Sequence, residues 1–433
     1  MRPRFTNAIL LSFLLAIGYH SAYPQAAVYK PFEVDSVATP LGGQSMIETF
    51  LAVNLQKPFM AQVANVTGKV FITAVVDPNG RVSDVQLMRS LRPDCDQEAL
   101  RVMRLFNAWK PAMKNGQPVR QLVTYPVTFR ANDPITYVDG KRIDFFGKDE
   151  KVTIDQQTAV FQQVVSVDST TGLPTGELIL SKRDKPNKWV ELVRLPLKRI
   201  EKKSTLPGQP DTYMIGHKQD DEKWYQYAYK LDPDGKLLGR ERSNGEEITY
   251  SPTGLVIFTR NFGGSTTLMH WHANGQLKEL STLDKATPPL SGINPYRLMT
   301  AWDSTGRTLI VNGNGQLTHY EQVKSRAEKG QLVQFTETGL YVDGLKDGIW
   351  KGTYSDGSYE YEETFAKGKP MGGSALINKA DKVTYGASEQ NPEFKGGAKE
   401  MYAFLGQNIT YPVDAMRAGI QGKVFVAFTV CTD

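Results

Sequence analysis

The chain has 433 residues, with 51 Lys and Arg against 46 Asp and Glu, for a formal net charge of +5. That length allows two to four domains, and an apolar share of 40% with 38 glycines and 24 prolines excludes a disordered polymer in favour of turn-rich folded domains. The mild basic balance, eleven basic against six acidic residues between 42 and 130, suits a mildly acidic partner and is far too weak to argue for nucleic acid.

Residues 1–27 read as a signal peptide: Arg2 and Arg4, then the apolar run Ala8 to Gly18, then the small-residue stretch Ser21 to Ala27. The run is short of the ~20 residues needed to span a bilayer as a helix. Export with cleavage is expected. An uncleaved leader would instead anchor the protein and place it in an inner-membrane complex. No later segment is long and apolar enough to cross a membrane as a helix.

A first module is expected over 40–131. Met46, Ile47, Phe50, Leu51 and Asn54 recur at helical spacing, and Pro58 ends that helix. Gly68 to Val76 is apolar on both alternating faces, which predicts a central, well-covered strand. Asp77-Pro78-Asn79-Gly80 is hairpin chemistry, leading to Val82, Val85 and Leu87 on the partner strand. Asp94 is the expected N-cap of a second helix whose stripe is Cys95, Ala99, Val102, Met103 and Phe106. Trp109-Lys110-Pro111 stops it. A turn at Gly116 leads to a last strand, Leu122 to Phe129, with Tyr125, Val127 and Phe129 on one face. Pro126 inside that strand offers no N–H to a ladder, which puts the strand at a sheet edge. The order is helix, strand, strand, helix, edge strand: an α+β module of αββαβ type.

This segment resembles the C-terminal domain of TonB, the periplasmic energy transducer of double-membraned bacteria. The residues that carry the resemblance are Gly68-Lys-Val-Phe71, the Gly80 hairpin, Asp96-Gln-Glu-Ala-Leu100, Trp109-Lys-Pro-Ala112, Asn115-Gly-Gln-Pro-Val119 and Pro126-Val-Thr-Phe129. The resemblance implies a periplasmic, non-enzymatic adaptor in transmembrane transport. It captures a peptide from an outer-membrane transporter, or another envelope protein, by β-strand addition. The edge residues so implied are Leu122, Val123, Thr124, Tyr125, Val127, Thr128 and Phe129. Two features depart from the family: Lys57-Pro58 replaces its Tyr-Pro pair, and its Pro-rich spacer is missing. The alternative for the edge is that the inserted middle of the chain covers it.

From 135 to 224 the chain is irregular, with strand-like runs at Glu177 to Leu180 and Trp189 to Leu195. Over 225–375 an apolar or aromatic residue stands four before a glycine, at Leu231/Gly235, Tyr250/Gly254, Trp271/Gly275 and Trp302/Gly306. This predicts strand, tight turn, strand, repeated. Gly275-Gln-Leu-Lys-Glu279 and Asp343-Gly-Leu-Lys-Asp-Gly-Ile-Trp350 make the stretch resemble MORN repeats. The resemblance implies a β-rich hairpin meander serving as a scaffold that binds glycan or protein, without energy transduction.

Adding 354 to residue numbers between Gly42 and Asn79 lands on matching residues from Gly396 to Asp433. Gly42-Gly43, Phe50, Leu51 and Asn54 become Gly396-Gly397, Phe404, Leu405 and Asn408, and Gly68 to Phe71 becomes Gly422 to Phe425. Residues 391–433 are therefore read as an incomplete second TonB-like module, resting on the first or poorly ordered, as in a fragmentary gene. Its Tyr411-Pro412 keeps the family's pair. Cys95 and Cys431 read as separate thiols. His270 and His272 are two apart and are read as an exposed polar strand face rather than half a metal site. No nucleophile elbow, metalloprotease helix or phosphate loop appears, so no catalytic residue, metal or cofactor is expected.

Overall fold

A computed structural model describes residues 27–153, 155–186, 188–204, 209–219, 223–285, 295–380, 382–386 and 394–409. The expected signal peptide falls almost wholly outside these residues, as does the second module beyond Ile409, including Cys431.

The first module carries three helices, α1 (Gln44–Asn54), α2 (Phe59–Val63) and α3 (Pro93–Leu105). Its strands are β1 (Val28–Tyr29), β2 (Thr39–Pro40), β3 (Gly68–Val76), β4 (Val82–Arg89), β5 (Trp109–Lys110), β6 (Ala112–Lys114) and β7 (Gln117–Phe129). The main sheet runs β1-β7-β3-β4, with β6 pairing β7. Strand β3 is central as expected, but only one face is well covered. Val70, Ile72 and Ala74 are buried under α3, whereas on the other face Val75 alone is buried, Phe71 and Thr73 are half-buried and Lys69 is exposed.

The hairpin forms where its chemistry indicates: Asp77 N–H donates to Arg81 O at 2.9 Å, and Gly80 N–H to Asp77 O at 2.9 Å. Helix α3 corrects one expectation. Asp94 is not its N-cap; Arg92 is, two residues earlier, and the helix opens on Pro93, where the missing N–H costs no intrahelical bond. Asp94 instead lies in the first turn beside Arg92, and Asp96 turns back to accept the Leu91 N–H at 2.9 Å. Pro58 does not directly end α1; it opens the short α2.

Among the described residues the middle of the chain is built from strands, with one short 3₁₀ turn at Phe262–Gly264. Six strands between Thr136 and Leu195 form one sheet and ten between Leu197 and Ile310 form an antiparallel meander. Six more between Gly315 and Tyr385 form a third sheet. The glycine-tipped turns share one bonding pattern. Asp232, Ser251, His272 and Asp303 each donate their N–H to the residue four positions on, and receive the N–H of Gly235, Gly254, Gly275 and Gly306. The molecule is accordingly β-rich with few helices.

One hydrophobic core joins the first module to the ten-stranded sheet. Ile47, Phe50, Val102, Met103 and Phe106 from α1, α3 and the residue after α3 pack with Ile248, Val256, Trp271 and Leu277. The Phe50 and Trp271 rings meet edge-on at 6.1 Å between centroids. A fourth helix, α4 (Gly397–Asn408), repeats α1 at the 354 offset. It lies differently: Phe50 is fully buried, whereas Phe404 is 50% exposed.

Candidate partner-binding edge and the adjoining cleft

Strand β7 pairs with β3 over nine consecutive residues, from Gly68 opposite Phe129 to Val76 opposite Gln121, without a register shift. Side chains alternate along it. Val127 and Phe129 are buried and Tyr125 and Val123 half-buried, while Leu122, Thr124, Pro126 and Thr128 face solvent. Pro126 stands opposite Phe71. A proline fits an unbroken ladder only where its nitrogen faces away from it. In an antiparallel ladder the pairing direction alternates residue by residue. The backbone groups of Leu122, Thr124 and Thr128 therefore face the same outer side as Pro126, and those of Val123, Tyr125 and Val127 face β3.

On that outer side, β1 pairs in parallel only at Val28–Arg120 and Tyr29–Gln121. The chain then leaves in a short 3₁₀ turn at Pro31–Glu33 and returns, so that Ala38 N–H donates to the Gln121 side chain at 2.5 Å. Among the described residues no strand pairs the outer side of Leu122–Phe129. The middle sheets lie against the helices instead. Strand β4, at the other edge, is a poorer template: its pairing with β3 shifts register twice, and Asp84 sits at φ +48. Such irregularities protect an edge from added strands.

One contact holds the middle of the open stretch and another its far end. Gln44 Nε2 donates to the Tyr125 hydroxyl at 3.0 Å, and burial raises the Tyr125 pKa, so the phenol stays neutral. Lys57 Nζ donates to Arg130 O at 2.9 Å and to Asn132 Oδ1 at 2.5 Å. Lys57 thus pins the chain as it leaves β7.

Lys57, Pro58 and Asn132 also line a cleft of about 1510 Å³ between the first module and the first two middle sheets. Its floor was not singled out from the sequence. Tyr227 lies directly opposite Arg242, and Tyr229 opposite Arg240, on neighbouring strands Tyr225–Leu231 and Leu237–Arg242. The signal was present as period-2 repetition, Tyr at 225, 227 and 229 and Arg at 240 and 242. It becomes legible only once the two strands are known to pair in that register.

The histidine reading is corrected. His270 is half-buried against Phe258, with ring centroids 5.0 Å apart, and burial lowers its pKa. His272 lies past the end of its strand, in the Gly275 turn, with Nε2 2.9 Å from Trp302 O. The two form no common exposed face. Among the described residues no cluster of His, Cys, Asp and Glu is arranged to hold a metal. Cys95 is a buried free thiol whose pKa burial pushes up to about 11.

A family model described as Gram-negative bacterial TonB protein C-terminal matches residues 54–131, from the end of α1 to just past β7. No curated protein matches the chain. A TonB C-terminal domain is thus present, and it suggests an envelope-transport role of the TonB kind. Among the described residues no helix is long and apolar enough to cross a membrane.

Proposed function

We propose that this is an exported periplasmic adaptor resembling the TonB energy transducer. It takes a peptide of an outer-membrane transporter, or of another envelope protein, as an added strand along Leu122–Phe129. The observation supporting this is the regular outer side of β7, left without a partner strand from Leu122 onward among the described residues. An open edge of this kind is a template for another backbone. Each added backbone bond contributes about 1 kcal/mol net. Pro126 withholds one donor, so the contact is weak and reversible, as transient engagement requires.

The test compares the full chain with Thr124→Pro in selection of extended peptides from a display library. Thr124 points its N–H outward, so the variant keeps the β3 ladder and melts within a few degrees of the parent. Capture is expected to fall by about tenfold, the equivalent of one or two lost bonds. Equal capture by both proteins rules out this edge. Val123→Pro is the contrasting control: it removes a donor facing β3 opposite Ala74 and destabilises the fold itself.

A second reading is favoured by the seating of the Gly254 and Gly275 turns on α1 and α3. Residues 225–375, read as MORN-like repeats, then form an envelope scaffold for glycan or protein, and the first module merely caps it. On that reading Thr124→Pro leaves all partner binding intact.

A further inference from the structure

The cleft beside β7 has a composition that strand addition alone does not explain. Three of its arginines are committed to structure: Arg92 to Asp94 at 3.0 Å, Arg101 to Glu98 at 2.6 Å and Arg142 to Asp144 at 2.9 Å. Arg242 is not, and Arg240 only loosely. Arg242 is exposed and makes no ion pair among the described residues; its guanidinium lies 5.0 Å from the Tyr227 ring centre. Arg240 reaches Glu246 only at 3.5 Å, and its Nε is buried without a hydrogen-bond partner. Tyr227 and Tyr229 stack at 6.2 Å beside them. The floor therefore offers guanidinium and phenol donors with little to receive them. Charge-assisted bonds to carboxylates are the strong way of satisfying such groups.

Place and size narrow the occupant. The strands of this floor are interior to the ten-stranded sheet, so their backbone is already paired and recognition falls to side chains. The volume of about 1510 Å³ exceeds the roughly 300–1,000 Å³ of small-molecule sites and suits a chain. Lys57 and Asn132 belong both to the cleft wall and to the Phe129 end of the open edge. A peptide leaving β7 at that end enters the cleft.

We propose that the cleft receives an acidic peptide segment, the continuation of the strand held on β7, with its carboxylates on Arg240 and Arg242. The proposal rests on the edge reading above and adds the chemistry of the partner: an extended stretch flanked by Asp or Glu.

The test uses fluorescein-labelled octaglutamate and the full chain, followed by anisotropy at about 20 and 300 mM salt. Saturable binding at low salt is expected. Arg240→Gln/Arg242→Gln should weaken it by about tenfold or more, and Thr124→Pro should leave it unchanged. Should the double variant melt early, the single reversal Arg242→Glu, at an exposed position, gives the same readout. Binding that survives either variant, no saturable binding, or preference for polygalacturonate, an acidic glycan, overturns the proposal. Failure of the edge reading appears separately, as undiminished display capture by Thr124→Pro.

Discussion

Asn54 shows how one residue joins two parts of the chain. It is fully buried at the end of α1. Its Nδ2 donates to Phe50 O at 3.0 Å, and its Oδ1 accepts the N–H of Val256, 202 positions away, at 2.8 Å. Its own carbonyl takes Arg101 Nη2 at 2.7 Å, and Arg101 Nη1 reaches Gly254 O at 3.2 Å. Truncation to Ala strands the Val256 N–H in the core. Asn54→Ala should therefore cost about 1–3 kcal/mol, read as a lower urea midpoint at unchanged slope. Arg101→Lys, which keeps the charge but not the planar fork, should cost less. The duplicate Asn408 keeps the local bond, Nδ2 to Phe404 O at 2.7 Å, but is exposed. Nothing local in the sequence separates the two asparagines, because what distinguishes them is a partner strand far along the chain.

Elements were legible where their chemistry is local. The Asp77–Gly80 hairpin and the four glycine-tipped turns follow from residues within four positions of one another, and they form as expected. Element ends were read less well. Strand β7 starts at Gln117, five residues before the expected Leu122, because Pro118 and Arg120 do not look like strand residues until β6 pairs beside the one and β1 beside the other. Helix α2 was missed because five residues carry no periodicity. The turns also differ in a way their shared pattern hides. Gly275 has φ +86, and a Cβ there would lie 2.9 Å from the Phe50 ring and 3.3 Å from Leu105 O; Gly235 has φ +84 with nothing within 4 Å. Gly235→Ala should cost only backbone strain, about 1 kcal/mol. Gly275→Ala adds a clash with α1 and the end of α3 and should cost about 2–4 kcal/mol. It should also speed amide exchange in α1. Equal costs at the two sites would mean that the ten-stranded sheet does not seat on the helices in this way.

Across the whole molecule, the division of the middle into three sheets was not legible, since a run of hairpins gives no local sign of where one sheet stops. The seams between them have a common feature: histidines that are buried or half-buried. His217 Nε2 lies 2.9 Å from Gly176 O, joining the first middle sheet to the second. His319 of the third sheet stacks on Trp350 and holds the Tyr341 hydroxyl at 3.1 Å from its Nε2; its Nδ1 is 3.7 Å from Glu279 of the second sheet. His270 lines the same small cavity as Glu279, His319 and Lys346. Burial lowers the pKa of all three histidines below the ordinary 6.5, although Glu279 pulls His270 and His319 the other way, as does Glu337 for His319. Above about pH 7 the three are neutral in folded and unfolded chains alike and contribute no pH slope. As pH falls through 6.5 the unfolded chain takes up protons that the folded chain resists, so stability declines, down to the lowered folded values. Melting temperature should therefore hold level from pH 8 to 7 and drop by a few degrees by pH 5.5, before most carboxylates titrate. Replacing His217, His270 and His319 together by Gln should flatten that stretch of the curve. Hydrogen exchange at pH 5.5 should rise first in the seam strands Pro174–Lys185 and Gly315–Lys324. A triple variant with the parent's slope would show that the seams do not respond to these three rings, and would place the acid sensitivity among surface carboxylates instead.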